Sequence, residues 1–302
     1  MELGLVFLGT SAAVPTARRG LPSIAYMYRG GIVLMDAGEG TQERLQRCGL
    51  SPLRIEAVLV THMHGDHVFG LPGLLQSMAM LGRRNLLIIA GPRGLRRFLE
   101  EAARATYWLP PYPVWLVEIE PGASLVLPSG VTVESFPVAH RIPALGYRLV
   151  EPRRKPKVDL EAARELGVAG PLLGRLQRGE TVVLPDGRRV EPQEVLIERP
   201  RAVVVYTGDT APSDSVVDAA RGATVLIHDA TFTHDMAEEA HEQGHSTALD
   251  AAFAAKKAGV GVLVLTHFSA RYDDPAVLVD EAKRLFPRVY AAVDCSRLPI
   301  RL

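Results

Sequence analysis

The chain has 302 residues, of which 47% are hydrophobic and 23% charged, and its formal net charge is zero. A chain of this length buries a substantial core, so one large domain or a domain with an insertion is expected. Proteins that bind nucleic acid through bulk charge are usually basic overall. Zero net charge does not exclude nucleic-acid binding, but any such contact must come from local basic patches. The sequence contains no apolar run of the ~18 residues needed to cross a membrane.

The cysteines and the first residues of the chain indicate the cellular compartment in which the protein is expected. Cys48 and Cys295 are the only cysteines, too few for a disulfide framework, which predicts a reducing cytoplasm. Residues 1–7 are apolar, but the stretch is short and acidic rather than basic. It is therefore predicted to form a first strand and not a signal peptide.

Short β-rich runs and helical periodicity mix in both halves of the chain. The predicted strands are Gly4–Leu8, Ser23–Tyr28, Ile32–Met35, Ala57–Val60, Leu86–Ile89, Val114–Ile119, Val131–Pro137, Gly146–Val150, Ala202–Tyr206, Thr224–Ile227, Val262–Leu265 and Val289–Val293. The predicted helices are Leu71–Leu81, Pro92–Thr106, Ala211–Arg221, Thr247–Ala258 and Pro275–Phe286. This order predicts two sheets packed face to face with helices outside, and polar motifs follow the strand ends.

A segment of different composition, roughly Glu151 to Arg199, separates the halves. It opens with a basic run at 153–157, continues into a helical stretch at Leu160–Leu166, and holds a predicted hairpin with an Asp-Gly turn at 181–190. Its apolar residues are expected to be too few for a separate core, which predicts an arm projecting from the main body. The predicted organisation is a first half at 1–150, the arm at 151–199 and a second half at 200–302.

The most informative stretch is 61–67, which reads Thr-His-Met-His-Gly-Asp-His. At the end of a strand, residues i and i+2 point the same way, so His62 and His64 are predicted to bind one metal ion together. Asp66 and His67 follow in the turn and are predicted to face a second ion. Imidazole and carboxylate ligands suit zinc, with manganese or iron as substitutes.

Two ions need more than four protein ligands, so further ligands must come from distant positions. His140, Asp209 and His267 each follow an apolar β run, as the first cluster does. A lone histidine after a strand is more often structural than a ligand, but three such residues beside an incomplete cluster reverse that expectation. Asp209 is predicted to bridge the ions with one oxygen to each.

Three further polar residues are candidates for supporting roles. His245 stands just before a predicted helix and is a candidate proton donor. His228 and Asp229 end another predicted strand and are expected to orient His245 or a metal ligand.

The pattern His62-x-His64-x-Asp66-His67, with His140, Asp209 and His267, resembles the metallo-β-lactamase superfamily. Within it, the chain resembles the ribonuclease Z family, endonucleases that remove 3′ trailers from precursor tRNA. The blocks that carry this resemblance are 7–11, 36–42, 61–75, 146–148, 207–210, 245–247 and 265–272. The resemblance implies an α/β fold, the αββα four-layer sandwich with an inserted protruding arm. It also implies two Zn²⁺ ions per subunit, with Mn²⁺ as a substitute, and a cytoplasmic homodimer that acts on precursor tRNA.

The family's chemistry implies a role for each candidate. One ion is assigned to His62, His64 and His140, the other to Asp66, His67 and His267, and Asp209 to both. Asp66 is also expected to orient the attacking hydroxide, and His245 to protonate the departing ribose oxygen. The products would be a 3′-hydroxyl on the tRNA and a 5′-phosphate on the trailer.

In that family the inserted arm clamps the tRNA elbow. The phosphate-contact candidates in this arm are Arg153, Arg154, Lys155, Lys157, Arg175 and Arg178. The family loop Pro-x-Lys-x-Arg-Asn, which senses a CCA end, is altered here at residues 15–20. Its lysine and asparagine are absent, Arg19 is kept, and Arg18 is the candidate to replace the missing charge. By resemblance, Arg18 and Arg19 are both predicted to contact the RNA.

Two other functions compete with this one. The first is another hydrolase on the same fold, such as a small-molecule phosphodiesterase, a thioesterase or a lactamase, although a small substrate needs no distant clamp. The second is an RNA-binding or scaffold subunit whose metal site has decayed, although every ligand position is filled.

Overall fold

Two units make up residues 3–301, the part of the chain that the computed structural model describes. One unit combines residues 3–150 with Val203–Arg301, and the other is Glu151–Ala202. The strands are β1 (Gly4–Gly9), β2 (Ser23–Tyr28), β3 (Gly31–Met35), β4 (Ile55–Leu59), β5 (Leu87–Gly91), β6 (Val114–Glu118), β7 (Ser124–Val126), β8 (Thr132–Pro137), β9 (Leu145–Val150), β10 (Lys157–Val158), β11 (Val182–Val183), β12 (Arg189–Val190), β13 (Leu196–Ile197), β14 (Val203–Tyr206), β15 (Val225–Asp229), β16 (Val262–Thr266), β17 (Val289–Ala291) and β18 (Arg297–Pro299).

Helices connect many of these strands. They are α1 (Thr41–Arg47), α2 (Gly65–Val68), α3 (Gly70–Met80), α4 (Leu95–Thr106), α5 (Leu160–Glu165), α6 (Pro171–Gln177), α7 (Pro192–Val195), α8 (Asp214–Ala219), α9 (Ala237–Glu242), α10 (Ala248–Ala258) and α11 (Ala276–Lys283), with 3₁₀ turns at Pro52–Arg54 and His234–Met236.

The strands of the larger unit form two seven-stranded sheets within the described residues. The first has the order β18-β1-β2-β3-β4-β5-β6, and the second has the order β17-β16-β15-β14-β9-β8-β7. Strands β3 to β6 run parallel to one another, as do β14 to β17. The carboxyl ends of parallel strands meet at one edge of a sheet, which is where loops that carry chemistry gather.

Burial on both faces of the strands defines the layers. All residues of β1 and β2 are buried, and alternate side chains such as Val6 and Leu8 pack against helix residues such as Leu45 and Leu71. The opposite faces meet between the sheets, where the Tyr147 hydroxyl donates to the Val60 carbonyl at 2.6 Å. The predicted αββα sandwich is therefore confirmed.

Helix α10 covers the second sheet with a face made of alanine. Ala248, Ala251, Ala252 and Ala255 are buried against the sheet, and their small side chains allow close approach. Thr247 begins the helix with a capping box, in which its side chain and that of Asp250 each accept a hydrogen bond from the other residue's backbone N–H. The start of α10 is thus fixed two residues after His245.

The unit Glu151–Ala202 has a small hydrophobic core of its own. Its buried residues are Ala163, Val168, Leu176, Val182, Leu184, Val190 and Val195. The expectation that this segment lacks a core was wrong, because apolar side chains scattered over short elements converge once the chain folds. The predicted hairpin is present as β11 and β12, with Gly187 in the turn at φ 83°.

A disulfide joins Cys48, at the end of α1, to Cys295, 247 positions later. The cysteine content therefore no longer indicates a reducing compartment, because both cysteines are oxidised.

Among residues 3–301 there is no helix that is both long and apolar enough to span a bilayer. The predicted first strand is present from Gly4, and residues 1 and 2 lie outside the described range.

Candidate metal centre

All seven predicted ligands lie beyond the ends of strands of the two sheets, five in loops and two in the short helix α2. His62 and His64 follow β4, and His67 lies in the short helix α2 beyond them. Asp209 follows β14, and His267 follows β16. Parallel strands of two facing sheets end at a shared edge, so residues far apart in the sequence meet there.

The first group consists of His62, His64, His140 and Asp209, whose ligand atoms all lie within 4.8 Å of one another. His62 Nε2 is 3.0 Å and His140 Nε2 is 3.2 Å from His64 Nδ1. Asp209 Oδ2 is 3.7 Å from His62 Nε2. A tetrahedral zinc ion with bonds of ~2.0–2.1 Å places neighbouring ligand atoms about 3.3 Å apart, which these distances approach.

The second group consists of Asp66, His67 and His267. Asp66 Oδ2 is 3.6 Å from His67 Nε2 and 3.7 Å from His267 Nε2. Asp209 Oδ1 is 3.3 Å from both of these nitrogens. Asp209 therefore turns one oxygen toward each group, as a bridging carboxylate does.

Buried polar atoms in this centre are arranged as the ligands of a cation would be. Among residues 3–301, His67 Nε2, His267 Nε2 and Asp209 Oδ1 are buried and have no hydrogen-bond partner. An unsatisfied buried polar atom costs about 1–3 kcal/mol, and a buried charge costs more. Three such atoms that face one another at ligand spacing fit a metal ion, and the donor set is the one that zinc favours.

The pKa shifts agree with this arrangement. Burial, and then the neighbouring His67, hold the pKa of His62 well below its usual value, and burial lowers the pKa of His64 and of His140. These imidazoles are therefore neutral at pH 7, which is the form that binds metal. Burial opposes a charge on His67, yet Asp209 and Asp36 together raise its pKa well above the usual value. The carboxylates around His67 thus favour a positive charge at this position.

Asp36 orients two of the ligands, and the sequence analysis gave it no role. It accepts hydrogen bonds from His67 Nδ1 at 2.8 Å and from the Tyr206 hydroxyl at 2.9 Å. Thr61 Oγ1 lies 3.0 Å from each Asp36 oxygen and 3.0 Å from His62 Nδ1. Because the hydroxyl donates to the carboxylate, it accepts from His62 Nδ1–H and leaves Nε2 free for a metal ion.

Asp229 supports the other side of the centre in the same way. It accepts from the Thr231 hydroxyl at 2.6 Å, and Thr231 Oγ1 lies 2.9 Å from His267 Nδ1. Its second oxygen is 2.9 Å from His245 Nδ1. The threonine therefore fixes the tautomer that presents His267 Nε2, while Asp229 holds His245 directly.

His245 lines a cleft of about 810 Å³ together with His64, Asp66, His140 and His267. Burial opposes the charged form of His245, but Asp229 raises its pKa to about 9. The imidazole is therefore protonated at neutral pH and faces the cleft that holds the candidate ligands. This is the protonation state of a general acid.

Two predicted residues lie elsewhere. Arg19 is buried, and its guanidinium donates to the backbone carbonyls of Ser269 and Tyr272 at 3.1 and 2.7 Å. Its prediction as an RNA contact was wrong, because these carbonyls occupy the guanidinium inside the protein. His228 is buried and hydrogen-bonds the Asp229 carbonyl at 2.8 Å, and it makes no hydrogen bond to a candidate ligand within residues 3–301.

The basic residues that are predicted to contact RNA differ in the ion pairs that they form. Arg154 is bound to the buried Glu151 at 2.6 Å, whereas Arg175 and Arg178 share the exposed Glu180 at 2.9 and 2.8 Å. The remaining candidates are exposed and make no ion pair with any residue of the range 3–301: Arg18, Arg153, Lys155 and Lys157.

Asp36, Thr61 and Thr231 are the positioning residues that sequence reasoning missed. A signal existed for Asp36, since it follows an apolar strand and precedes Ala37-Gly38, much as Asp209 follows a strand. The sequence holds no comparable signal for the two threonines. Their role depends on a hydroxyl that lies between a carboxylate and an imidazole, and at least one of these two partners is distant in the sequence or visible only in the fold.

The chain is similar to known proteins over almost its whole length. Residues 18–267 match the model of the metallo-beta-lactamase superfamily. A ribonuclease Z of Ignicoccus hospitalis is 47% identical over 98% of this chain and 97% of that protein, and one of Methanosarcina mazei is 40% identical over 99% and 98%. The crystal structure of the short form of human tRNase Z superposes with a TM-score of 0.71 at 27% identity and covers 99% of this chain and 100% of that one.

These similarities extend over nearly the full length of the chain, so they include both sheets, the ligand loops and the inserted unit. They confirm the resemblance that the motifs indicated. The chain belongs to the metallo-β-lactamase superfamily and, within it, to the ribonuclease Z family.

Proposed function

We propose that this protein is a two-zinc endoribonuclease that removes the 3′ trailer of precursor tRNA and leaves a 3′-hydroxyl on the tRNA and a 5′-phosphate on the trailer. The observation that carries the proposal is the pair of ligand groups joined by Asp209, with their buried and unpartnered ligand atoms. The family relationship supplies the substrate class, because the relatives are named ribonuclease Z.

Zn²⁺, with Mn²⁺ as a substitute, is proposed as the metal at both groups. When bound, two such ions would lower the pKa of water to ~7 and polarise the phosphodiester. Asp66 accepts a hydrogen bond from the Ala13 N–H through Oδ2, and its position at the cleft allows it to orient the attacking water. His245 then delivers its proton to the departing ribose oxygen, while Asp229 holds the imidazole in place.

The inserted unit is proposed to clamp the elbow of the tRNA. Arg153, Lys155 and Lys157 support this role, because they are exposed and unpaired within residues 3–301. Arg175 and Arg178 are proposed to contribute once a phosphate competes with Glu180 for them, since exposed ion pairs of this kind are weak. Arg18, exposed in the altered loop, is proposed to contact the RNA near its 3′ end.

The subunit is proposed to act as a homodimer in the cytoplasm. The homodimer is inferred from the family, and the cytoplasm from the tRNA substrate that the names of the relatives indicate. Sedimentation of the purified protein tests the first statement, and a monomer at micromolar concentration would contradict it.

The deciding experiment is cleavage of end-labelled precursor tRNA by zinc-loaded protein, with one substrate that encodes CCA and one that does not. A His64→Ala variant is the metal-site control. We expect a cut just after the discriminator base in the substrate without CCA. Failure on both substrates, with hydrolysis of a small phosphodiester retained, would contradict the tRNA assignment and favour the small-molecule phosphodiesterase.

A charge variant separates RNA binding from chemistry. The triple change Arg153→Ala, Lys155→Ala, Lys157→Ala removes three positive charges from the inserted unit. We expect a higher KM for precursor tRNA and a salt dependence of binding whose log–log slope falls by about 2–3, with small-phosphodiester hydrolysis unchanged. The matched control removes three exposed, ion-paired cations elsewhere: Arg104, Arg221 and Lys283. An equal effect of both triples would show that only overall charge matters.

A further inference from the structure

The side chain of Asp294 holds both ends of a loop that lies beside the metal centre. Its Oδ1 accepts from the Thr10 hydroxyl at 2.8 Å, and its Oδ2 accepts from the Gly20 N–H at 2.7 Å. Thr10 is the first residue after β1, and Gly20 lies three positions before β2; the stretch that they bound is called here the 10–20 loop. Arg44 of α1 pairs with the same carboxylate at 3.1 Å, and only 8% of the Asp294 side chain is exposed.

The 10–20 loop reaches a candidate ligand. The Ala13 N–H donates to Asp66 Oδ2 at 3.0 Å. That oxygen is also the one turned toward His67 and His267. Ala13 has φ 52°, a left-handed conformation that costs a residue other than glycine about 1–2 kcal/mol. The loop therefore needs contacts elsewhere to hold this shape.

We propose that Asp294 is a positioning residue for Asp66. By holding both ends of the 10–20 loop, it fixes the Ala13 N–H at the place where this donor turns Asp66 Oδ2 toward the metal centre. This inference goes beyond the proposed reaction and rests on the proposed function only in assigning Asp66 to metal binding.

The surroundings of Asp294 fix its position in turn. The neighbouring Cys295 is bonded to Cys48, which follows the helix that carries Arg44. The Cys295 N–H also donates to the Phe7 carbonyl of β1 at 2.7 Å. A covalent bond to α1 and a backbone hydrogen bond to the first sheet thus hold the residue next to the carboxylate.

The variant Asp294→Asn tests the inference because it preserves size. The carboxylate accepts a hydrogen bond from each loop end, whereas an amide has only one acceptor oxygen. The amide can reach Thr10 only if the threonine hydroxyl turns to accept from its NH₂ group, and it loses the charge that pairs with Arg44. The matched control is Asp280→Asn, an exposed aspartate of α11 whose contact is a 3.8 Å pair with Lys283. Two quantities are measured on the zinc-loaded protein: zinc affinity by competition with a chelating dye, and hydrogen exchange of peptides that contain residues 10–20.

For Asp294→Asn we expect about tenfold faster hydrogen exchange in the 10–20 loop. We also expect a loss of about 10–100-fold in affinity for one of the two zinc ions, the loss that is typical when a residue that orients a metal ligand is changed. The control should match the wild type in both. A purely structural role would raise exchange across the sheets and leave zinc affinity unchanged at 25 °C. That result, or unchanged zinc affinity in a folded variant, would overturn the inference.

A milder variant keeps the test decisive if Asp294→Asn fails to fold. Thr10→Val removes only one of the hydrogen bonds and should shift both quantities in the same direction by a smaller factor. If Thr10→Val is folded and neither quantity changes, the inference is wrong. Neither measurement uses RNA, so a wild-type protein that fails on precursor tRNA would contradict the proposed function and leave the role of Asp294 to be judged separately.

Discussion

Asp36 accepts a hydrogen bond from Nδ1 of His67 at 2.8 Å, so the opposite nitrogen of that ring is the one left for a metal ion. The carboxylate is fully buried, and it also accepts from the Thr61 N–H at 2.7 Å. Its own backbone has φ 58°, an unfavourable conformation for aspartate that the surrounding hydrogen bonds hold in place. One residue thus sets the orientation of ligands from the first sheet.

Asp36→Asn should weaken zinc binding by about 10–100-fold. The amide carries a donor where the carboxylate accepts, so one of its present partners loses its bond. Leaving a donor unsatisfied in this buried site should also lower the free energy of unfolding by about 1–3 kcal/mol. Chelator competition and denaturant titration measure the two effects. Asp235→Asn, at an exposed position, is the control, and equal zinc affinity in the two variants would refute the role of Asp36.

Gly244→Ala should damage the first ligand group selectively. Gly244 has φ 78°, and an added Cβ would lie 2.8 Å from His140 Nδ1, which now hydrogen-bonds the Gly244 carbonyl at 2.9 Å. We expect loss of about half of the bound zinc, determined by metal analysis after gel filtration. Gly222→Ala is the matched control, since Gly222 has φ 62° but open space around its Cβ position. Full zinc content in Gly244→Ala would show that His140 tolerates displacement.

The sequence predicted the layers of the fold and the seven candidate ligands because both leave local signals. Strand runs alternate with helical periods, and each ligand follows an apolar strand. Helix α1 was missed because it buries only Thr41 and Leu45, too few positions to produce a visible period. The core of the inserted unit was missed because its apolar residues lie on elements of two to seven residues.

Other features depend on contacts between positions far apart in the sequence. Cys48 and Cys295 carry no local mark of pairing, and their bond follows only from the approach of the C-terminal segment to α1. The partners of Arg19 are backbone carbonyls. Every residue has such a carbonyl, so the residue types do not show which of them the guanidinium binds. Such contacts become visible only when the chain is folded.

His245→Ala should reduce kcat on precursor tRNA by roughly 10²–10⁴-fold and leave zinc content unchanged. The side chain faces the cleft and is held by Asp229, but it belongs to neither proposed set of metal ligands. Single-turnover cleavage and metal analysis on the same preparation check both parts. Loss of zinc in this variant would mean that His245 supports the metal centre instead of donating a proton.

The pH dependence follows from the same pair of residues. Although burial opposes the charge, Asp229 raises the pKa of His245 to about 9. The acid form is therefore fully present below that pKa, and kcat should fall as pH rises through it. Asp229→Asn removes the negative charge, lowers the pKa and should move this decline to lower pH. A kcat profile with an unchanged alkaline limb in Asp229→Asn would contradict the assignment.

Replacing both cysteines by serine should lower the free energy of unfolding by roughly 3–5 kcal/mol, because the disulfide closes a loop that spans 247 positions and so restricts the unfolded chain. Denaturant titrations with and without dithiothreitol measure the loss. The reductant should destabilise the wild type and leave the serine variant unaffected, since only the wild type has a bond to reduce. Equal sensitivity of the two proteins would show that the effect does not come from this bond. A stable wild type in dithiothreitol would mean that the packing around α1 holds the C-terminal segment without the covalent link.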